Sequence, residues 1–231
     1  MKFKRVLVKL SGEALAGKQQ RGFDHEVITG VAKQLKTLVD GGIEVAVVIG
    51  GGNFWRGRTS GDMDRTKADQ IGMLATVMNA IYVADVCRSL GIATSVQTPF
   101  ALGSMTDLFS KDKAVADFKA GKIVFFAGGT GHPFFSTDTG AALRGAEVEV
   151  DALFILLIYR ITGCSVVILK MMLIRPSIKR SCSYVDSEYE CISPVVLSNS
   201  IRLKASAKIA SPSYRVKLST IAKLSQESNC A

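Results

Sequence analysis

The first 157 residues predict an α/β protein, a three-layer αβα sandwich built on a mainly parallel sheet. Three observations carry that expectation. Strand-like and helix-like stretches alternate along the chain. Two strand-like runs, EVAVVIG (44–50) and KIVFFAGG (122–129), are apolar almost throughout, as strands covered on both faces are. Three of the strand-like runs end in glycine-rich loops. In such folds ligands bind beyond the carboxyl ends of the strands.

The elements follow in order. RVLVKL (5–10) is a short β-rich run ending at Ser11-Gly12. HEVITGVAKQLKTLV (25–39) spaces its apolar residues at helical intervals and stops at Gly41-Gly42. After the strand at 44–50, a long helical stretch runs over roughly 65–89 and closes at Gly91. IATSVQT (92–98) reads as strand, KDKAVADFKAG (111–121) as helix, and 122–129 as a buried strand. TGAALRGAEV (139–148) is helical, and DALFILL (151–157) is again strand-like.

Residues 158–231 break this rhythm. They hold one glycine of 21, four of five cysteines and fourteen serines. They also carry 11 Lys/Arg against 4 Asp/Glu, whereas residues 1–157 carry 18 against 16. The net charge of +9 is thus a property of the last third, which argues against nucleic-acid binding as the chain's main business. The cysteines lack metal-ligand spacing, and His25 and His132 are remote from most of them, so no metal site is expected. No run of eighteen uncharged apolar residues is present, which predicts no membrane span. The start MKFKRVLVKL lacks the apolar core of a secretory signal, so the expected location is cytoplasmic.

The loops point to phosphate chemistry. They read KLSGEAL (9–15), IGGGNFWRG (49–57) and AGGTGHPFFSTDT (127–139). Glycines let the backbone approach a ligand, and amide N–H groups near a helix start suit phosphate oxygens. None of the loops has the P-loop or dinucleotide spacing. Lys9 ends its strand as a compact cation suited to a migrating phosphoryl group. Arg56 could bind phosphate bidentately, and Asp69 could take a ribose hydroxyl; either could instead face solvent. Thr130, Ser136 and Thr137 offer hydroxyls, and Phe134 and Phe135 could flank a base or pack in the core. Asp138 could cap the helix that follows. Asp151 begins a strand among apolar residues and needs a cationic partner, for which Lys9 is a candidate.

Together VLVKLSGEALAG, VVIGGGNFWRG, DQIGMLATVMNA and GGTGHPFFSTDTGAALRGAEVEVDA resemble the bacterial uridylate (UMP) kinases of the amino-acid-kinase superfamily, over about residues 4–156. The resemblance implies transfer of the ATP γ-phosphoryl group to UMP, with magnesium carried on the nucleotide, in pyrimidine nucleotide synthesis. It implies that Lys9, Leu10, Ser11 and Gly12 border the ATP phosphates, with Lys9 stabilising the transferred group. Gly51 would contact UMP, and Gly52 and Arg56 the ATP phosphates. Asp69 would bind UMP, and Thr130, Gly131, His132, Pro133, Phe134, Phe135, Ser136 and Thr137 would wrap it. Position 132 is usually asparagine in the family, and His132 keeps a polar side chain there. Asp151 would orient Lys9. The resemblance also implies a homohexamer with GTP and UTP as effectors; from the residues, no membrane or nucleic-acid partner is expected. The competing readings are a superfamily kinase acting on a carboxylate or carbamate, and a UMP or UTP binder without catalysis.

After DALFILL the family continues with a segment like DGVYxxDP, which holds the adenine side of the ATP site. Here the chain reads TGCSVVILKMML. Permitted codons from Thr162 onward, read one base out of register, can spell GVFSSDPKDDA. Met171-Met172 forces aspartate in that reading. Residues 158–231 are therefore expected to be an out-of-frame continuation, and the chain to be an incomplete kinase, unstable or inactive. The coding DNA across residues 155–161 tests this.

Overall fold

The computed structural model describes residues 3–19, 21–55, 62–161 and 164–173, with side chains of the last two strands described through Ile155. One sheet of seven strands runs through it. In chain order the elements are β1 (Arg5–Leu10), α1 (Gly12–Leu15), a 3₁₀ turn (Gly17–Gln19), α2 (His25–Asp40), β2 (Glu44–Ile49) and α3 (Arg65–Ser89). There follow β3 (Thr94–Thr98), β4 (Asp107–Leu108), α4 (Lys111–Lys119), β5 (Ile123–Phe126), α5 (Thr137–Glu147), β6 (Ala152–Ile161) and β7 (Cys164–Leu173). The spatial order is β4-β3-β5-β2-β1-β6-β7. Every pairing among β1 to β6 is parallel, and β7 joins β6 antiparallel.

Alternation along the strands builds two cores. Val6, Val8, Leu10, Val45, Val47 and Ile49 face α2 and α3, meeting Ile28, Leu35, Leu38 and Val83. Leu7, Ala46, Val48 and Leu153 face the other way, onto Ala114 and Phe118 of α4 and Ala141 of α5. Helices thus cover both faces, which is why β2 and β5 are apolar throughout. Lys9 shares the face of Leu7 and is carried toward α5.

Helix starts are fixed by their caps. Asp24 accepts from Glu26 and Val27 N–H, and Asp64 accepts from Lys67 N–H. Ser136, rather than Asp138, caps α5 by accepting from Thr139 N–H at 3.2 Å. Helix α3 is long and apolar enough by length and composition alone to cross a bilayer, but half of its apolar window is buried in the protein, as for a core helix.

The elements expected from 1–157 are present within a few residues of their expected limits. Four features were not expected: the one-turn helix α1, the 3₁₀ turn Gly17–Gln19, the two-residue strand β4, and the extension of β6 past 157 to pair with β7. Strand β4 pairs only Asp107 and Leu108 with β3, too short a stretch to leave a periodic signal.

Candidate functional site

The glycine-rich loops after β1, β2 and β5 meet at the carboxyl edge of the sheet and enclose a cleft of about 570 Å³. Parallel pairing brings these loops together, because strand β2 lies between β1 and β5 and all three point the same way. The loops pack backbone to backbone. A Cβ on Gly12 would lie 2.1 Å from the Gly50 carbonyl oxygen and 2.6 Å from Asn53 Oδ1. A Cβ on Gly51 would lie 2.9 Å from both Ala75 Cβ and the Gly72 carbonyl oxygen on α3. Glycine is required at both positions for that approach.

Lys9, Ser11, Gly12, Gly51, Gly52, Asp69, Phe134, Phe135, Ser136 and Thr137 all line the cleft. Leu10, expected at the site, does not line the cleft: its side chain is in the core, and its carbonyl accepts from Gly50 N–H. Thr130, Gly131, His132 and Pro133 form the outer turn of the third loop, where Thr130 Oγ1 accepts from His132 N–H at 3.2 Å. Arg56 lies outside the described residues.

The charge at the centre is Lys9, 8% exposed, with its ammonium 2.6 Å from Asp138 Oδ1. Asp138 sits in the first turn of α5 and keeps 43% of its side chain exposed. A buried ammonium is stable only with such a counter-charge. Here the counter-charge faces solvent on its other side, so the pair is not sealed.

Asp151 is not that partner, which corrects the expectation. It opens β6, and parallel pairing places the start of β6 beside the start of β1. Its Oδ2 accepts from the N–H groups of Lys4 (2.6 Å) and Arg5 (2.9 Å), and its own N–H donates to the Arg5 carbonyl. Lys9 is level with Ile155 instead. That separation is four residues along the strand, roughly 13 Å at about 3.3 Å per residue.

On the opposite wall, Asp69 of α3 accepts from Arg65 Nε at 3.0 Å and from Phe134 N–H at 2.8 Å. Phe134 holds φ at 70°, a strained value for a non-glycine residue, and the Arg65 guanidinium lies 5.7 Å from its ring centre. Phe134 and Phe135 are 68% and 60% exposed, so neither is a core residue.

Several residues bearing on the site were not singled out from the sequence. Glu13 and Trp55 line the cleft, and Trp55 Nε1 is buried with no protein partner among the described residues, leaving a donor for a ligand. Asn53 in the second loop and Thr76 and Asn79 on α3 are buried polar residues, and of the three Thr76 lines the cleft. Asn79 lies in the apolar run TVMNAI, where a lone amide gives no sequence signal. Cys87, buried on α3, has its thiol pushed up to about 12 by desolvation, which makes it unreactive. Among the described residues no His/Cys/Asp/Glu group could hold a metal ion.

The model of the amino acid kinase family matches residues 4–157. The chain belongs to that family. Among solved structures, it is similar to the UMP kinase of Bacillus anthracis, at 36% identity and a TM-score of 0.65, over 68% of this chain and 66% of that one. It is also similar to the UMP kinase of Ureaplasma parvum, at 32% identity and a TM-score of 0.60, over 63% of this chain and 65% of that one. The chain therefore spans just under two thirds of the length of these family members. Both the match and the parallel part of the sheet belong to the first two thirds of the sequence.

Proposed function

We propose that the cleft is a uridylate site with the phosphate-facing half of an ATP site, and that the chain derives from a UMP kinase. The observation that carries this reading is the Lys9–Asp138 pair set among three glycine-rich loops, opposite Asp69 and the two exposed phenylalanines. In that reaction the bond from the ATP γ-phosphorus to the β,γ-bridging oxygen breaks, and a bond to a UMP phosphate oxygen forms. Lys9 would follow the charge on the moving group, as positioning and electrostatics dominate such transfers. Asp138 would hold the ammonium in place, the role first expected of Asp151. Asp69, Phe134 and Phe135 would take the ribose and base. Magnesium would arrive on the nucleotide.

The adenine side would come from the part of the chain after residue 157, which does not match the family. The reading is therefore a chain that binds UMP and lacks ordinary turnover. The similar UMP kinases support UMP over a carboxylate or carbamate acceptor. A homohexamer with GTP and UTP as effectors belongs to the same reading for a chain of full family length. Titration calorimetry with UMP, run beside an assay for UDP formed from UMP and ATP, tests it. Binding without turnover is expected. Absence of UMP binding by the folded chain overturns the site, and ordinary UDP formation overturns the inactivity.

A further inference from the structure

Helix α3 contributes more to the cleft than Asp69. Thr76 Oγ1 accepts the buried N–H of Gly128 at 2.8 Å, at the base of the third loop, and donates to the Met73 carbonyl at 2.6 Å. Asn79 Nδ2 donates to the Gly50 carbonyl at 2.6 Å, at the base of the second loop. Asn79 and Asn53 also exchange amide hydrogen bonds, at 2.9 and 2.8 Å, and Asn53 Nδ2 reaches the Gly22 carbonyl at 2.9 Å. The spacing 69, 76, 79 places Asp69, Thr76 and Asn79 along one side of the helix.

Asn79 is 0% exposed, and Thr76, although it lines the cleft, spends its hydroxyl proton on the Met73 carbonyl and accepts the Gly128 N–H. Both residues hold the loops where they leave the sheet. Loops rich in glycine sample many conformations, so anchoring them before a ligand arrives lowers the ordering cost of binding. With the Gly50 carbonyl turned to Asn79, the trans peptide that follows directs the Gly51 N–H away from that anchor.

We propose that Thr76 and Asn79 are positioning residues: α3 fixes the second and third loops relative to each other through them, and so sets nucleotide affinity through the placement of the loops rather than through hydrogen bonds of their own to the nucleotide. This rests on the UMP reading above. The test uses the full 231-residue chain with Thr76→Val, which keeps the shape and loses the hydroxyl, and Thr76→Ser, which keeps the hydroxyl. UMP affinity is measured by calorimetry, and amide hydrogen exchange is followed in peptides covering 48–55 and 126–137. Thr76→Val is expected to weaken UMP binding about tenfold or more, the consequence of leaving a buried N–H unpaired. It should speed exchange over 126–137 while β1 and α2 stay as in the parent, and Thr76→Ser should restore most of both. Parent-like affinity and exchange in Thr76→Val overturn the proposal. Should Thr76→Val fail to fold, Asn79→Ser carries the same test at 48–55. If the parent chain shows no UMP binding, the UMP reading fails on its own, and the exchange data alone decide the positioning role: unchanged loop exchange overturns it, and faster loop exchange supports it.

Discussion

The two ends of strand β1 each hold a basic side chain, and they behave as opposites. At the start, Arg5 is tied to several fixed partners. Its Nε is 2.7 Å from Glu44 Oε2, its guanidinium donates to the Val148 carbonyl and lies 4.9 Å from the Phe118 ring centre, and Asp151 accepts from its backbone N–H. At the other end, four residues on, Lys9 has its contact with Asp138, whose side chain is 43% exposed, and it lines the cleft. Planar Arg suits a fixed site with several acceptors, and compact Lys suits a charge that must follow a moving group. One end of the sheet is held by fixed contacts, and the other opens onto the cleft.

Four changes break or sharpen this contrast, from the largest expected loss of stability to the smallest. Gly12→Ala forces a methyl against the Gly50 carbonyl and Asn53, and should cost on the order of 3 kcal/mol in urea unfolding. Asp151→Ala strands the Lys4 and Arg5 N–H groups and should cost about 1–3 kcal/mol, with UMP affinity by calorimetry unchanged. Lys9→Met should move stability by only about 1 kcal/mol, because Asp138 can rehydrate, yet weaken UMP binding about tenfold. A UMP loss in Asp151→Ala, or its absence in Lys9→Met, would erase the distinction between the two ends.

The smallest effect lies off both ends. Burial by itself would raise the Asp117 carboxyl, but hydrogen bonds from Lys122 and Ser95 and the nearby charge of Lys113 outweigh it and hold the group below its ordinary range. A depressed folded value means stability that is present above the unfolded pKa and lost as pH falls through the folded one. Asp117→Asn should therefore flatten the acid limb of a stability-against-pH curve below the ordinary carboxylate range, and leave neutral-pH UMP binding alone.

Much of the fold was legible because its strands are buried on both faces, and β2 and β5 show it as unbroken apolar runs. The loops were legible as glycine clusters at strand ends. The partner of Lys9 was not. Asp138 and Asp151 are both carboxylates near helix or strand starts, and composition does not separate them. The parallel register does: it sets Asp151 beside Arg5, and the alternation that turns Lys9 toward α5 sets Asp138 beside it. Asn79 was hidden for a different reason, since a single polar residue on the buried side of a helix disturbs no pattern. Strand β4 is held by its pairing with β3, which no local signal encodes.

The decisive measurement is an amide spectrum of the ¹⁵N-labelled chain titrated with UMP. The amides of Gly50–Gly52, Gly128–Gly131 and Phe134 should shift together and saturate, while Lys4, Arg5 and Asp151 stay still. Shifts concentrated at those strand starts, or none in the glycine loops at saturating UMP, would contradict a UMP site at those loops.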